Sequence, residues 1–221
     1  MKLINDTTCL SDFVEENESS SKILTKYGLD FCCDGKKSLS TACKDAGINC
    51  EFILQEIITS NDENECAHNW SQESNKEVIK HILDDFHEPL RLSLIELEEL
   101  FYQILQETNK EVFSILTTIF SEFHQLASEL REHMNKEEQI LFPWILEGTR
   151  GKPLGPMECM RLEHRNTIEV LNVISTAIKN HQLPEGSPQS WRLLYERLEL
   201  LDNELRLHIH LENNILFARI Q

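Results

Sequence analysis

The sequence predicts an all-α protein, with a small helical domain at the N-terminus and an up-down-up-down four-helix bundle after it. The first observation is the scarcity of turn-forming residues, seven glycines and six prolines in 221 residues, which favours long helices over turn-rich sheet. The second is a change near residue 74, after which apolar residues recur at helical spacing over long segments. The third is a His–Glu pair that occurs twice at one helical spacing, in REHMNKEEQILF and RLHIHLENNILF.

Three parts are predicted along the chain. Residues 1–60 contain short helical patterns that are broken by glycines, which indicates a small helical domain. Residues 61–74 are polar and lack apolar periodicity, so we predict a linker there. Residues 75–221 have the long apolar periodicity that is typical of a bundle.

The bundle is predicted to have four helices. They are separated by the stretches ETNK, GTRGKP and LPEGSP, of which the last two are strong helix stops. The predicted helices span residues 75–107, 110–147, 154–181 and 188–219. Pro89 is expected to kink the first helix without ending it, because apolar residues continue beyond it. Short connections between long helices predict the up-down-up-down arrangement.

The composition excludes several classes of partner. A formal net charge of −17 argues against nucleic acid and anionic membranes, which need basic surfaces, and suits a protein that handles cations. No apolar run approaches the ~20 residues of a membrane helix, and the N-terminus MKLINDTTCL does not have the pattern of a signal peptide. Seven cysteines without disulfide-framework spacing predict reduced thiols and a cytoplasmic location.

The repeated pairs are His133 with Glu137 and His208 with Glu212, and the second pair follows the first by 75 residues. Side chains at i and i+4 of a helix are about 5–6 Å apart at Cβ, so both members of a pair can reach one ion. One such pair alone would more often be solvated or form an ion pair. The exact repetition favours a shared site.

Two single histidines, His87 and His164, are predicted to lie at the same height as the pairs. Counted from the predicted turns, all four histidines are 20 to 25 residues along their helices, roughly 30–37 Å at 1.5 Å per residue. Four imidazoles and two carboxylates form a mixed nitrogen and oxygen ligand set. This set predicts two metal ions, with two irons preferred and manganese or zinc as alternatives.

Other acidic and imidazole side chains have roles that are open at this stage. Glu129 and Glu204 also follow the 75-residue offset. With Glu163, they are candidates for orienting the imidazoles or lining a substrate path, and for Glu129 and Glu204 a solvated helix face is the alternative. Four further histidines fit no common layer and are expected at the surface or in the core: His81, His124, His181 and His210.

Residues 75–221, with these histidines and glutamates, resemble a hemerythrin-like di-iron bundle. The resemblance implies iron ligands at six positions: His87, His133, Glu137, His164, His208 and Glu212. One turn after His164, where oxygen-carrying hemerythrins have another imidazole, this chain has Ile168. The missing ligand leaves a metal position open and disfavours simple reversible oxygen carriage.

The second motif is the cysteine pair in KYGLDFCCDGKKSL. Adjacent cysteines make a poor zinc chelate because neighbouring side chains diverge, so we predict reactive thiols at Cys32 and Cys33. Lys36, Lys37 and a helix that is expected to begin near Ser38 would favour the thiolate. The alternative is two buried structural cysteines.

The stretch FVEENESSSKILTKYGLDFCCDGKKSLSTACKDAG resembles the N-terminal domain of repair-of-iron-centres proteins of the ScdA/YtfE type. That family joins this domain to a hemerythrin-like bundle, so the resemblance covers nearly the whole chain. The family's usual C-C-G-G is Cys32-Cys33-Asp34-Gly35 here, and Asp34 places a negative charge beside the thiols. A glycine is also freer than aspartate to adopt a turn.

The resemblance implies a cytoplasmic di-iron protein, a homodimer, that restores iron–sulfur clusters damaged by nitric oxide or peroxide. Its partners would be damaged iron–sulfur proteins, with nitric oxide or oxygen species as small ligands. The residues leave open whether it supplies iron, handles nitric oxide, or does both. One alternative is a nitric oxide or oxygen binding protein without repair activity. Another is a redox enzyme, either a nitric oxide reductase at the metal site or a thiol oxidoreductase at Cys32 and Cys33.

Overall fold

The computed structural model describes residues 4–61, 68–107, 110–148, 151–180 and 188–220. Within these ranges the chain is helical, and its extended pairing is one isolated bridge between Cys9 and Ser38. The predicted all-α class is confirmed. The chain forms two compact units, one of Met1–Lys80 with Leu205–Gln221 and the other of His81–Glu204. None of the described helices is long and apolar enough to cross a membrane.

Four short helices make up most of the first unit: α1 (Leu10–Glu16), α2 (Ser20–Lys26), α3 (Leu39–Ala46) and α4 (Cys50–Asn61). Their apolar sides enclose a small core that includes Phe13, Leu24 and Phe31, each with 0% exposure. Ser38 caps α3, as expected, because its hydroxyl oxygen accepts a hydrogen bond from the Thr41 amide at 3.3 Å. Residues 62–67 of the predicted linker lie outside the described ranges, and its described part includes a 3₁₀ turn, Trp70–Gln72.

The long helices agree with the predicted bounds to within one residue, and residue 181 lies outside the described ranges. The elements are α5 (Asn75–His81), π1 (Ile82–His87), α6 (Glu88–Glu107), α7 (Lys110–Lys136), π2 (Glu137–Leu141), α8 (Phe142–Glu147), α9 (Leu154–Asn180), α10 (Gln189–His210), π3 (Leu211–Leu216) and the 3₁₀ turn Phe217–Arg219. Here π denotes a turn of π-helix.

The second unit has its core between α6, α7 and α9, since α7 packs against both of the others. On α6 the buried residues Leu94, Leu97, Phe101 and Ile104 recur every three or four positions, the spacing of one helix face. Phe101 meets Phe123 of α7 with 5.2 Å between the ring centroids. This apolar packing fixes the helix faces that carry the polar site described below.

Two of the π turns have a local cause in the sequence. π1 ends two residues before Pro89, and π2 ends two residues before Pro143. A proline ring clashes with the carbonyl group four residues earlier and has no N–H to donate to it. That carbonyl belongs to Asp85 in π1 and to Gln139 in π2, so the wider turn accommodates the clash. The helix therefore continues through Pro89, as predicted, and its departure from α geometry is π1.

Residues 27–38, which join α2 to α3 and include Cys32 and Cys33, form the cysteine loop. Gly35 in this loop occupies a position without room for a side chain. A Cβ atom there would lie 2.6 Å from both the Phe31 carbonyl oxygen and Asn214 Oδ1. Since the Phe31 oxygen belongs to the backbone, Gly35→Ala should lower the free energy of unfolding by about 1–3 kcal/mol. Thermal unfolding followed by circular dichroism measures the change.

Gly155→Ala in α9 is the matched control, because a Cβ atom at Gly155 would meet nothing within 4 Å. That variant should be neutral or gain up to about 1 kcal/mol from the higher helix propensity of alanine. Equal melting temperatures for the Gly35 and Gly155 variants would contradict the close packing of the cysteine loop.

Candidate metal centre

The six predicted ligands all lie in the protein interior. Their exposed fractions range from 0% for His87, Glu137 and Glu212 to 6% for His133. Ionisable side chains are rarely buried to this extent unless they are paired or bind a metal. Among the described acidic and imidazole side chains, Asp202 and His210 are also buried, but neither belongs to the groups of donor atoms that could hold a metal ion.

Glu137, the first residue of π2, has an imidazole on each side. Its Oε2 atom is 3.4 Å from His87 Nε2, and its Oε1 atom is 3.4 Å from His133 Nε2. The Nε2 atom of His133 is in turn 3.1 Å from His164 Nε2 on α9. Each oxygen of one carboxylate thus faces a different ring, the arrangement of a carboxylate that is shared by two metal positions.

The second His–Glu pair follows the same pattern at the end of α10. His208 Nε2 is 3.1 Å from Glu212 Oε1, one turn further on in π3. The donor atoms form two sets, within each of which all atoms lie within 4.8 Å of one another: His87, Glu137, His208 and Glu212, and His133, Glu137, His164 and Glu212. Both carboxylates belong to both sets, whereas each histidine belongs to one.

Acidic side chains hold the outer nitrogens of two of these rings. His87 Nδ1 donates to Glu138 Oε1 at 2.7 Å, and Arg91 Nη2 donates to the same oxygen at 2.6 Å. Burial raises the pKa of Glu138, but the hydrogen bonds from His87 and Arg91 outweigh it and leave that pKa below its usual value. With Nδ1 protonated, His87 presents the lone pair of Nε2 to the interior.

Glu163 plays the corresponding part for His133. His133 Nδ1 donates to Glu163 Oε2 at 2.8 Å, and Lys136 forms an ion pair with the other carboxylate oxygen. The hydrogen bond from His133 is the main reason that the pKa of Glu163 falls to about 2. Glu163 therefore has the geometry of the predicted orienting carboxylate.

The donor set fits a pair of metal ions. Two donors that are each ~2.1 Å from one ion lie roughly 3.0–3.4 Å apart at bond angles between 90° and 109°. The contacts of 3.1 and 3.4 Å between Glu137, His133 and His164 have this size. Because His133 offers only a lone pair at Nε2, a bound cation would stabilise this cluster of donor atoms.

Comparison with known proteins agrees with this geometry. Residues 78–220 match the family described as the hemerythrin HHE cation binding domain, and residues 7–61 match ScdA_N, a domain of unknown function (DUF542). The chain is similar to the iron-sulfur cluster repair protein YtfE of Yersinia pestis (strain Pestoides F), with 32% identity over 200 residues that cover 90% of each chain. The YtfE proteins of Yersinia pseudotuberculosis serotypes IB and O:1b are 32% and 31% identical over the same coverage.

The chain belongs to the YtfE family of iron–sulfur cluster repair proteins. Both resemblances stated from the sequence are thereby confirmed, each on its own stretch of the chain. The six buried donors all lie within the matched cation-binding domain. A metal-binding role for this YtfE-family bundle follows from the family together with the donor geometry.

Two other acidic residues, Glu129 and Glu204, differ in their surroundings. Glu129 is exposed and accepts a hydrogen bond from Gln125 at 2.9 Å, so the solvated alternative describes it. Glu204 is half-buried, and it lines a cavity of about 240 Å³ together with Arg197. Burial raises the pKa of Glu204, and its role in a substrate path stays a prediction.

Glu138 was not among the candidates predicted from the sequence. The residue 75 positions later is Asn213, so the 75-residue repeat of acidic residues does not include Glu138.

The histidines outside the common layer lie at the surface or in the core, as expected. His210 is buried beside Phe31, and burial lowers its pKa to about 4. His81 Nδ1 is 2.6 Å from Asp85 Oδ2, and His124 is exposed. His181 falls outside the described residues.

Cys32 does not have the surroundings of an activated thiolate, in contrast to the prediction from the sequence. The Cys32 side chain is fully buried, and this burial is the main cause that raises the pKa of its thiol well above the usual value. Lys37, which was expected to favour the thiolate, pairs with Asp34 and Asp45 at 3.3 and 3.4 Å. Cys33 is half-buried, and its reactivity stays a prediction.

Replacing Glu138 or Glu163 with Gln should weaken metal binding about 10- to 100-fold, because a neutral amide oxygen is a weaker acceptor for the imidazole N–H than a carboxylate. The measurement is the metal retained by the full chain in a graded series of chelator concentrations. Glu129→Gln is the control, since Glu129 is exposed and should retain metal like the parent. If all three variants release metal alike, these hydrogen bonds do not orient the ligands.

Proposed function

We propose that this chain holds two irons in its bundle and repairs iron–sulfur clusters that oxidative or nitrosative stress has damaged. The observation that carries the proposal is the pair of donor sets that share Glu137 and Glu212. The similar proteins of Yersinia bear the name iron-sulfur cluster repair protein. Damaged iron–sulfur proteins are then the partners of this chain.

The chemistry of the donors supports iron. Imidazole and carboxylate ligands suit iron, with manganese and zinc as alternatives, whereas a site for soft metals would use thiolates. Glu137 and Glu212 offset part of the charge of two cations, so the buried centre is not left with a large uncompensated charge. Nitrogen and oxygen donors also hold iron less firmly than thiolate cages, which suits a protein that gives iron away. Bound iron supplies redox chemistry, a position for a small ligand, and ions for transfer to a damaged cluster.

Glu138 and Glu163 keep two of the four rings oriented through this exchange. Each accepts from the Nδ1 atom of a ligand ring and also pairs with a basic side chain, Arg91 or Lys136. These hydrogen bonds would hold each ring from its outer side even without a bound metal ion. The empty position is then ready to bind another ion without reordering the helices.

A second candidate function is the binding or reduction of nitric oxide or oxygen without cluster repair. It is favoured by Ile168, a buried apolar residue where oxygen-carrying hemerythrins have an additional imidazole. An apolar side chain leaves a coordination position for a small ligand. Nitric oxide as that ligand, a homodimer and a cytoplasmic location are further parts of this proposal and stay predictions.

Glu137→Leu should remove most iron from both positions, because Glu137 belongs to both donor sets. His164→Leu should leave close to one iron per chain, because His164 belongs to one set. Iron content after anaerobic loading and gel filtration distinguishes the two variants. Equal iron in Glu137→Leu and the parent would show that the carboxylate is not a ligand.

The iron-loaded protein should restore activity to a cluster enzyme that nitric oxide or peroxide has inactivated, whereas the metal-free protein should not. The assay compares the parent, its His133→Leu variant and an equal amount of free ferrous ion, all in the presence of a chelator. The chelator captures free iron, so recovery by the parent alone indicates directed delivery. Equal recovery with free ion contradicts delivery. Failure of all three, together with tight nitric oxide binding, would support the second candidate.

A further inference from the structure

The cysteine loop of the first unit gathers three donors of a kind that binds metals. The ligand atoms of Asp30, Cys32 and Cys33 all lie within 4.8 Å of one another. Adjacent cysteines were expected to diverge, but Asp30 holds the loop in a tight turn. Its Oδ1 atom accepts the backbone N–H groups of Cys32 and Cys33 at 3.0 and 2.8 Å. This turn brings both sulfur atoms close to the carboxylate.

The separations agree with those of ligands around one ion. The Cys32 thiol donates to Asp30 Oδ1 with a sulfur–oxygen distance of 3.1 Å. A tetrahedral ion at ~2.3 Å from sulfur and ~2.1 Å from oxygen places these atoms about 3.6 Å apart. Replacing the thiol proton with a metal ion therefore needs only a small widening of the loop.

Groups from outside the loop suit bound thiolates. Asn213 of π3 directs Nδ2 toward Cys33 Sγ at 3.9 Å and toward the Cys32 carbonyl oxygen at 3.3 Å. Burial and the Asp30 carboxylate raise the pKa of the Cys32 thiol, and the positive charge of the buried Arg206 acts in the opposite direction. Two thiolates, one carboxylate and a divalent cation carry a net charge of −1, so a bound cation would offset most of the negative charge of the ligands.

The loop is also partly open to solvent. Cys32 is fully buried, whereas Cys33 is half-buried. An ion held between them would thus have fixed ligands on the inner side and a face from which it can exchange. Three protein ligands with a fourth position open is the pattern of sites that exchange or react, in contrast to closed four-ligand structural sites.

We propose that Asp30, Cys32 and Cys33 bind one thiophilic divalent cation, such as Fe²⁺ or Zn²⁺, at a site separate from the histidine and glutamate centre. On binding, the two S–H bonds are replaced by two metal–sulfur bonds, and both protons pass to solvent. The site lies beside Asn213, the residue that follows Glu212 in the chain. This inference goes beyond the proposed repair function and does not rest on it.

Anaerobic titration of the iron-loaded full chain with Co²⁺ tests the site. Cobalt bound to thiolates gives a sulfur-to-metal charge-transfer absorption, which the histidine and glutamate centre cannot produce because it has no sulfur ligand. The absorption should saturate at one Co²⁺ per chain. It should be lost in Cys32→Ser and Cys33→Ser, and Asp30→Asn should bind Co²⁺ about tenfold more weakly or worse.

The matched control is the double variant Cys43→Ser, Cys50→Ser. These two cysteines are neighbours in the same unit, and burial together with Cys50 raises the pKa of Cys43 to about 12. Within the described residues, no third donor joins them to form a group that could hold a metal ion. The control should keep the parent absorption. Far-UV circular dichroism and the iron spectrum establish that each variant is folded. No charge-transfer band in the parent, or an unchanged band in the folded Cys33→Ser variant, overturns the proposal.

Discussion

The buried carboxylate of Glu137 is the constraint on which the arrangement of the bundle depends. It has 0% exposure, and its two oxygens face the Nε2 atoms of His87 and His133. Removing a carboxylate from water costs several kcal/mol unless positive charge compensates it. Neutral imidazoles orient toward it but do not supply that charge. Bound metal ions would supply it, which would explain why this buried layer consists of ionisable residues and not of apolar ones.

Beyond the neutral imidazoles of this layer, negatively charged and then positively charged side chains follow toward the surface. Metal positions are followed by imidazoles, then by Glu138 and Glu163, and then by Arg91 and Lys136. The two basic side chains are partly exposed, so their charges are solvated. Each carboxylate is therefore stabilised from two sides, and the imidazole it holds is fixed in one tautomer. The site depends on these outer partners as well as on the ligands themselves.

The sequence allowed these six residues to be grouped as candidate ligands because helix geometry is regular. A constant rise per residue and a 75-residue repeat suffice to place His133, Glu137, His208 and Glu212 on matching turns. Glu138 was not predicted because its partner, His87, belongs to another helix. The hydrophobic periodicity of a sequence does not show which residues of two helices meet. The π turns escaped for a related reason, since the helical pattern continues through Pro89 and Pro143 and does not show a locally wider turn.

In the cysteine loop, proximity along the sequence did not predict which charged groups act on the thiols. Lys37 is close to Cys33 along the chain, but its ammonium group pairs with Asp34 and Asp45. Cys32 is surrounded by the core of the first unit, so burial governs its pKa. The fold of a small domain decides which charge meets which thiol, and a short motif does not contain that information.

The most direct test of the account is Mössbauer spectroscopy of the full chain loaded anaerobically with enriched iron and then oxidised, combined with iron quantification. The account predicts two irons per chain whose spins are coupled, because Glu137 and Glu212 belong to both donor sets. One magnetically isolated iron per chain, or iron that the Glu137→Leu variant retains in full, would contradict a centre built on shared carboxylates.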